Sequence, residues 1–177
     1  MKKLITVFII AATFFVACSD DDNKAGTGTL KVNLTDAPAE YSKVLVDIQG
    51  LRINVNDADT TEGNWMDLEL DTMGQIDLLE LTDGVSIQLS DDEIPAGYLS
   101  QIRLILGENN QLVIGENDTV DMDTPSAQQS GLKVNVHDSI ADGETFSMML
   151  DFDAEKSVVD KGNGTYSLKP VLTVIKD

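Results

Sequence analysis

Leu30-Lys31-Val32-Asn33-Leu34-Thr35 alternates apolar and polar side chains without a break. Successive side chains of a strand point to opposite faces, so this period of two predicts a strand with one buried face. Asp36-Ala37-Pro38 ends the run, because proline fixes its own φ and offers no backbone donor. The same period returns outward along the chain. Val44 to Val55 (VLVDIQGLRINV) is a second long strand, with Gly50 inside it as a candidate bulge. A polar loop from Asp57 to Asn64 follows, and Trp65-Met66-Asp67-Leu68 resumes the extended pattern. Gln75 to Leu81 fits either a strand or one helical turn. Thr82-Asp83-Gly84 is a turn, Val85 to Leu89 alternates again, and Ser90-Asp91-Asp92-Glu93 reads as a short capped turn.

From Leu99 to Leu106, Ile102, Leu104 and Leu106 are expected to face the core, with Gln101, Arg103 and Ile105 facing the other way. Gln111–Ile114, Leu132–Val136, Thr145–Phe152 and Thr165–Ile175 supply further strands, and hairpin turns are expected at Gly107-Glu108-Asn109-Asn110 and Lys161-Gly162-Asn163-Gly164. No sustained 3.6-residue period occurs after residue 18. Short strands separated by Gly, Asn and Asp predict an all-β fold over residues 30–177. The expected form is a single antiparallel β-sandwich of Greek-key, transthyretin-like or immunoglobulin-like type, with no internal linker or repeat.

The first residues read differently. Met1-Lys2-Lys3 is basic, and Leu4 to Ala17 (LITVFIIAATFFVA) carries no charge over 14 residues. A membrane-spanning helix needs about 20. A short basic start, a short apolar run and a small residue before a cut make a secretory signal over residues 1–17. Phe15-Val16-Ala17-Cys18 resembles a lipoprotein cleavage box, so Cys18 is the expected lipidation site. Cys18 is also the single Cys of the chain, so no internal disulfide is open to it. Ser19, Asp20, Asp21 and Asp22 follow at once. They read either as a solvated acidic linker or, by resemblance, as the tag that sends lipoproteins to the outer face of an outer membrane. Residues 18–29 are thus expected to be a lipidated N-terminus and flexible tether.

Removing residues 1–17 leaves 160 residues, enough for one domain with a substantial core. The formal charge of −19 becomes −21 once Lys2 and Lys3 are gone. Such a surface repels phosphates, which argues against nucleic acid and anionic lipid as partners. The expected membrane contact is the N-terminal lipid alone, and a protein or glycan partner stays open. Apolar residues make up 42% of the chain, so it is not a disordered acidic tail.

Several stretches taken in order resemble a known family. They are Leu34-Thr35-Asp36-Ala37-Pro38, Ile94-Pro95-Ala96-Gly97-Tyr98, Gln101-Ile102-Arg103-Leu104, Asp151 to Val159 (DFDAEKSVV) and Leu168-Lys169-Pro170-Val171. Together they resemble the bacterial lipoprotein family called domain of unknown function 4382, over nearly all of Gly28 to Lys176. The resemblance implies a fold and little about activity. The Pro-Ala-Gly-Tyr turn is also similar to one in transthyretin-like and carboxypeptidase-regulatory sandwiches, which carries no function by itself.

Catalytic and binding chemistry has few candidates. His137 is the single His, on an expected strand, and no Gly-x-Ser-x-Gly elbow accompanies it. Zinc or copper sites rich in His or Cys are excluded by count. Asp151 and Asp153 lie two apart, where like charges repel unless exposed or bridged by a cation. A solvated face is the simpler reading, balanced by Lys156 or Arg103, and a calcium site is the sharper one. Asp57, Asp59 and Glu62 resemble the start of a calcium loop without its full signature. Asp118, Asp121 and Asp123 form a weaker set. Calcium is the cofactor these sets would take, and no other is expected. Among the scarce aromatics, Trp65 is the best placed to stack on a sugar, ahead of Tyr41, Tyr98 and Tyr166, with a core or rim plug as its simpler role. The expected function is therefore a non-enzymatic surface lipoprotein domain serving binding, adhesion or envelope structure. Glycan capture is the alternative, and a carboxylate-based glycosidase a more distant one.

Overall fold

The alternating stretches do become strands. The computed structural model describes residues 26–56, 64–116, 118–124 and 131–176. Cys18, Ser19, Asp20, Asp21 and Asp22 lie outside the described residues, as do Asp57, Asp59 and Glu62. In chain order the strands begin with β1 (Thr27–Asp36), β2 (Lys43–Asn56), β3 (Asn64–Leu68), β4 (Gly74–Asp77), β5 (Ile87–Pro95), β6 (Gly97–Leu106) and β7 (Gln111–Ile114). They continue with β8 (Asp118–Asp123), β9 (Leu132–Ile140), β10 (Thr145–Phe152), β11 (Val158–Gly162), β12 (Thr165–Leu168) and β13 (Leu172–Lys176). A 3-10 turn at Leu78–Leu81 follows β4, so Gln75 to Leu81 is a strand and then a turn. A single helical turn, α1 (Ala154–Ser157), follows β10.

The strands form two sheets, ordered β13-β10-β1-β5 and β11-β12-β8-β7-β2-β6-β9. Strands β6 and β7 follow one another along one edge of β2, and β3 and β4 along its other edge. Between the sheets Leu30, Val32, Leu34, Leu150 and Phe152 meet Val46, Ile48, Ile53, Ile102 and Leu104, all fully buried. Ile102, Leu104 and Leu106 face in as the alternation requires. The architecture is all-β and sandwich-like. It is not purely antiparallel. β1 runs parallel to β10, from Thr29 opposite Thr145 to Asp36 opposite Phe152, and β12 runs parallel to β8. A parallel neighbour needs a long crossover. Here β2 to β4 and β6 to β9 of the second sheet lie between β1 and β10 in sequence, which supplies one.

Three local expectations also change. The strand pattern begins at Thr27, inside the stretch expected to be a tether. Gly28 is there for close approach, not for flexibility: a Cβ on it would lie 2.5 Å from Ile140 Cγ2 and 3.0 Å from the carbonyl oxygens of Ala141 and Glu144. Gly28→Ala is expected to cost about 1–3 kcal/mol by overpacking, read from urea unfolding midpoints. Ser90 to Glu93 is not a turn but part of β5, where Asp91 is held opposite Lys31 by a 2.8 Å ion pair. Gly107 to Asn110 is not a hairpin, because β6 and β7 pair end to end along the same edge of β2. The hairpin at Asn163-Gly164 does form, with both residues at positive φ as a tight turn between twisted strands requires. Gly50 marks a register shift between β2 and β6, the bulge read from the sequence.

Candidate ligand-binding face

The second sheet buries one face against the first and leaves the other outward. Register decides what stands together on that outer face. Asp67 of β3 lies opposite Arg52 of β2, Arg52 opposite Arg103 of β6, and Arg103 opposite Lys133 of β9. Directly opposed residues share a face, about 5 Å apart from strand to strand. The three cations therefore form one row about 10 Å long. Two residues along each strand, Trp65, Asn54, Gln101 and Asn135 form a second row in the same register. Each of the three longer strands thus repeats one motif in this patch, a cation and an amide two residues apart.

Like charges directly opposed in a sheet repel. Two contacts ease this. The Arg103 guanidinium lies over the Trp65 ring at 3.8 Å from its centroid, and Arg52 sits at 5.9 Å. A cation over an indole face is attracted by the ring's quadrupole. Arg52 also pairs with Asp67 at 2.5 Å. Arg103 and Lys133 have no carboxylate within ion-pair distance among the described residues, although the chain holds 31 acidic residues against 12 basic ones. Arg103 Nε instead donates to Gln101 Oε1 at 3.3 Å, and Gln101 Nε2 donates to Asn135 Oδ1 at 3.0 Å. Beside the cation row the missing side chain of Gly50 opens a groove of about 450 Å³. It is lined by Gly50, Ile105, Asp67, Leu70 and Met73, the last 63% exposed.

A family model described as a domain of unknown function (DUF4382) matches residues 27–170. The chain belongs to that family. Both rows of the outer face fall inside the matched span. No curated protein and no solved structure matches the chain.

Elsewhere in the DUF4382 domain, the other candidates are dispersed. Trp65 is half-buried at the rim on the outer face, outside the buried core, with Arg103 covering one side of its ring. Asp151 is half-buried in β10, and Asp153 lies past the end of that strand. Asp153 caps α1, accepting from the Lys156 N–H at 3.0 Å and pairing with Lys156 Nζ. That pairing holds the Asp153 carboxyl below its usual range. Arg103 belongs to the other sheet and does not balance it. Asp118, Asp121 and Asp123 are exposed along β8, with Asp123 paired to Lys161 at 3.3 Å. Among the described residues no group of three or more His, Cys, Asp or Glu side chains is arranged to hold a metal ion. His137 is exposed on β9 at φ 53°, in a bulge where β6 and β9 shift register, and its Nδ1 lies 2.9 Å from the Tyr98 hydroxyl.

Sequence reasoning misses Arg52, Lys133, Asn54 and Asn135. The signal for them is present as Arg52-x-Asn54, Gln101-x-Arg103 and Lys133-x-Asn135, three strands carrying a cation and an amide on one face. Only the register shows that the three motifs coincide.

Proposed function

We propose that this chain is a lipid-anchored protein of the bacterial outer membrane, displayed outward, whose β-domain binds a ligand without transforming it. The observation that carries the binding role is the outer face of the second sheet, where two cations without carboxylate partners among the described residues adjoin a ladder of amides and an indole ring. The two rows hold one carboxylate, Asp67, and Arg52 is paired with it. A glycosidase needs two carboxylates flanking its bond, so this face favours capture over cleavage. It also favours a glycan over a purely structural role, because amide side chains and an aromatic ring suit hydroxyl-rich sugars. The anchor rests on the apolar run ending at Cys18, and outward display rests on Ser19 to Asp22.

Display is tested by proteolysis of intact cells. The protein is expected to be digested, and replacing Asp20, Asp21 and Asp22 with Ala should protect it; a wild-type protein that resists would refute display. Binding is tested on a glycan array with the mature protein. Retention of a glycan, lost on Trp65→Ala with Arg103→Ala, is expected, while equal retention by that variant, or turnover of the retained glycan, would overturn the reading.

A further inference from the structure

We propose that the cation row selects a carboxylate-bearing sugar chain, an oligouronate, and so sets the ligand class of the face. This inference rests on the binding role assigned to that face. Arg103 is held in place before any ligand arrives. Its plane is stacked on Trp65 and its Nε is tied to Gln101. Its two terminal nitrogens donate to no protein acceptor among the described residues. A guanidinium fixed in this way offers a planar fork that matches a carboxylate with two parallel hydrogen bonds. Ordering it in advance lowers the entropy lost on binding.

Lys133, directly opposed to Arg103 and exposed, places a second positive charge about 5 Å away. Repulsion across Arg52, Arg103 and Lys133 is relieved when an anion lies along the row. The rest of the chain is strongly acidic, so it repels polyanions over long range. At ordinary salt that repulsion is screened within about 10 Å, which leaves close contact at the row as the attraction. Sugars bearing one carboxylate per ring fit this balance better than densely sulfated chains. Gln101 and Asn135, two residues further along their strands and so about 7 Å away along the backbone, adjoin the cations and can meet ring hydroxyls.

The experiment uses short oligouronates of several ring types, each paired with its fully methyl-esterified form. The ester keeps the rings and removes the charge. Calorimetry on the mature protein in 0.1 M salt is expected to show the acid forms binding about tenfold tighter or more than their esters, the scale of one charged hydrogen-bonded pair. Arg103→Glu should remove that preference. Lys133→Glu falls on an exposed strand position, so it keeps the fold and should weaken acid-form binding several-fold. Circular dichroism checks both variants. Equal binding of ester and acid overturns the carboxylate assignment while the glycan-binding role survives. Tighter binding of a sulfated oligosaccharide overturns it as well. If no oligouronate binds below millimolar concentration while neutral glycans are retained on the array, the ligand class is wrong; if nothing is retained, the binding role fails with it.

Discussion

Asn110→Ala is expected to lower the unfolding free energy by about 1–3 kcal/mol, read from urea denaturation, because it takes the acceptor from a buried backbone N–H. Asn110 is fully buried. Its Oδ1 accepts from the Asp47 N–H at 2.8 Å, and its Nδ2 donates to the Gly107 carbonyl at 2.8 Å and to Thr124 Oγ1 at 3.2 Å. Removing the amide strands the buried Asp47 N–H, at about 1–3 kcal/mol when left unsatisfied. It also leaves a small void. The consequence is local as well as global. Asn110 joins β6 to β7 across the gap opposite Val46 and Asp47, and its carbonyl accepts from the Met122 N–H at 2.8 Å. Amide exchange in β7 and β8 should therefore quicken first. A loss under about 1 kcal/mol, the size of one ordinary hydrogen bond, would mean that the segment relaxes into a solvated turn, as its Gly and Asn content implies.

That segment illustrates where sequence reading succeeds and fails in this chain. Alternation identifies β1, β2, β6 and β10 as strands and the inward face of β6 correctly, because a buried face leaves a period of two whatever the strand pairs with. Partner and direction are different. Gly107-Glu108-Asn109-Asn110 has the composition of a hairpin, yet its Asn is a buried plug, since the side chain of Asp47 and the length of β2 decide the pairing. Ser90 to Glu93 has the composition of a turn, yet Lys31 across the strand pair steadies Asp91. The parallel pairing of β1 with β10 leaves no local trace at all, since both strands alternate as antiparallel ones would.

The candidate face is legible in the same partial way. Trp65 stands out in the sequence as an aromatic beside a polar loop, and Arg103 as an outward residue. Their contact depends on the registers of β2 with β3 and with β6. The carboxylates are conspicuous because they are numerous. The cations are the scarcer charge, and two of them stand side by side without acidic partners among the described residues. In a chain this acidic, the basic residues left unpaired say more about a ligand than the acidic ones do.

Asp36→Asn should stabilise the domain at pH 8 and remove part of its pH dependence. Asp36 sits at the end of β1 and is 5% exposed. Its Oδ1 accepts from the Ala154 N–H at 2.9 Å, while Oδ2 is buried and meets no donor among the described residues. Burial pushes its carboxyl up to about 7 from 3.8, against the pull of the Ala154 and Ala37 N–H groups and with added repulsion from Asp151 and Asp153. Between about pH 4 and pH 7 the unfolded chain has released this proton and the folded chain still holds it. Stability therefore falls as pH rises through that window and levels off above it. Each tenfold change in proton affinity is worth about 1.4 kcal/mol, so the rise from 3.8 to about 7 corresponds to about 4 kcal/mol as an upper value. Asn is neutral at every pH and keeps an oxygen for the Ala154 N–H. Relative to the wild-type chain, the variant should gain little at about pH 4.5 and up to about 4 kcal/mol at about pH 8. Taking the difference between the two proteins cancels the opposite acid-range slopes of Asp138 and Asp153, whose carboxyls are held low by Lys176 and Lys156. Urea midpoints at the two pH values are the measurement, and a variant less stable than the parent at pH 8 would show that the buried group is a stabilised carboxylate instead.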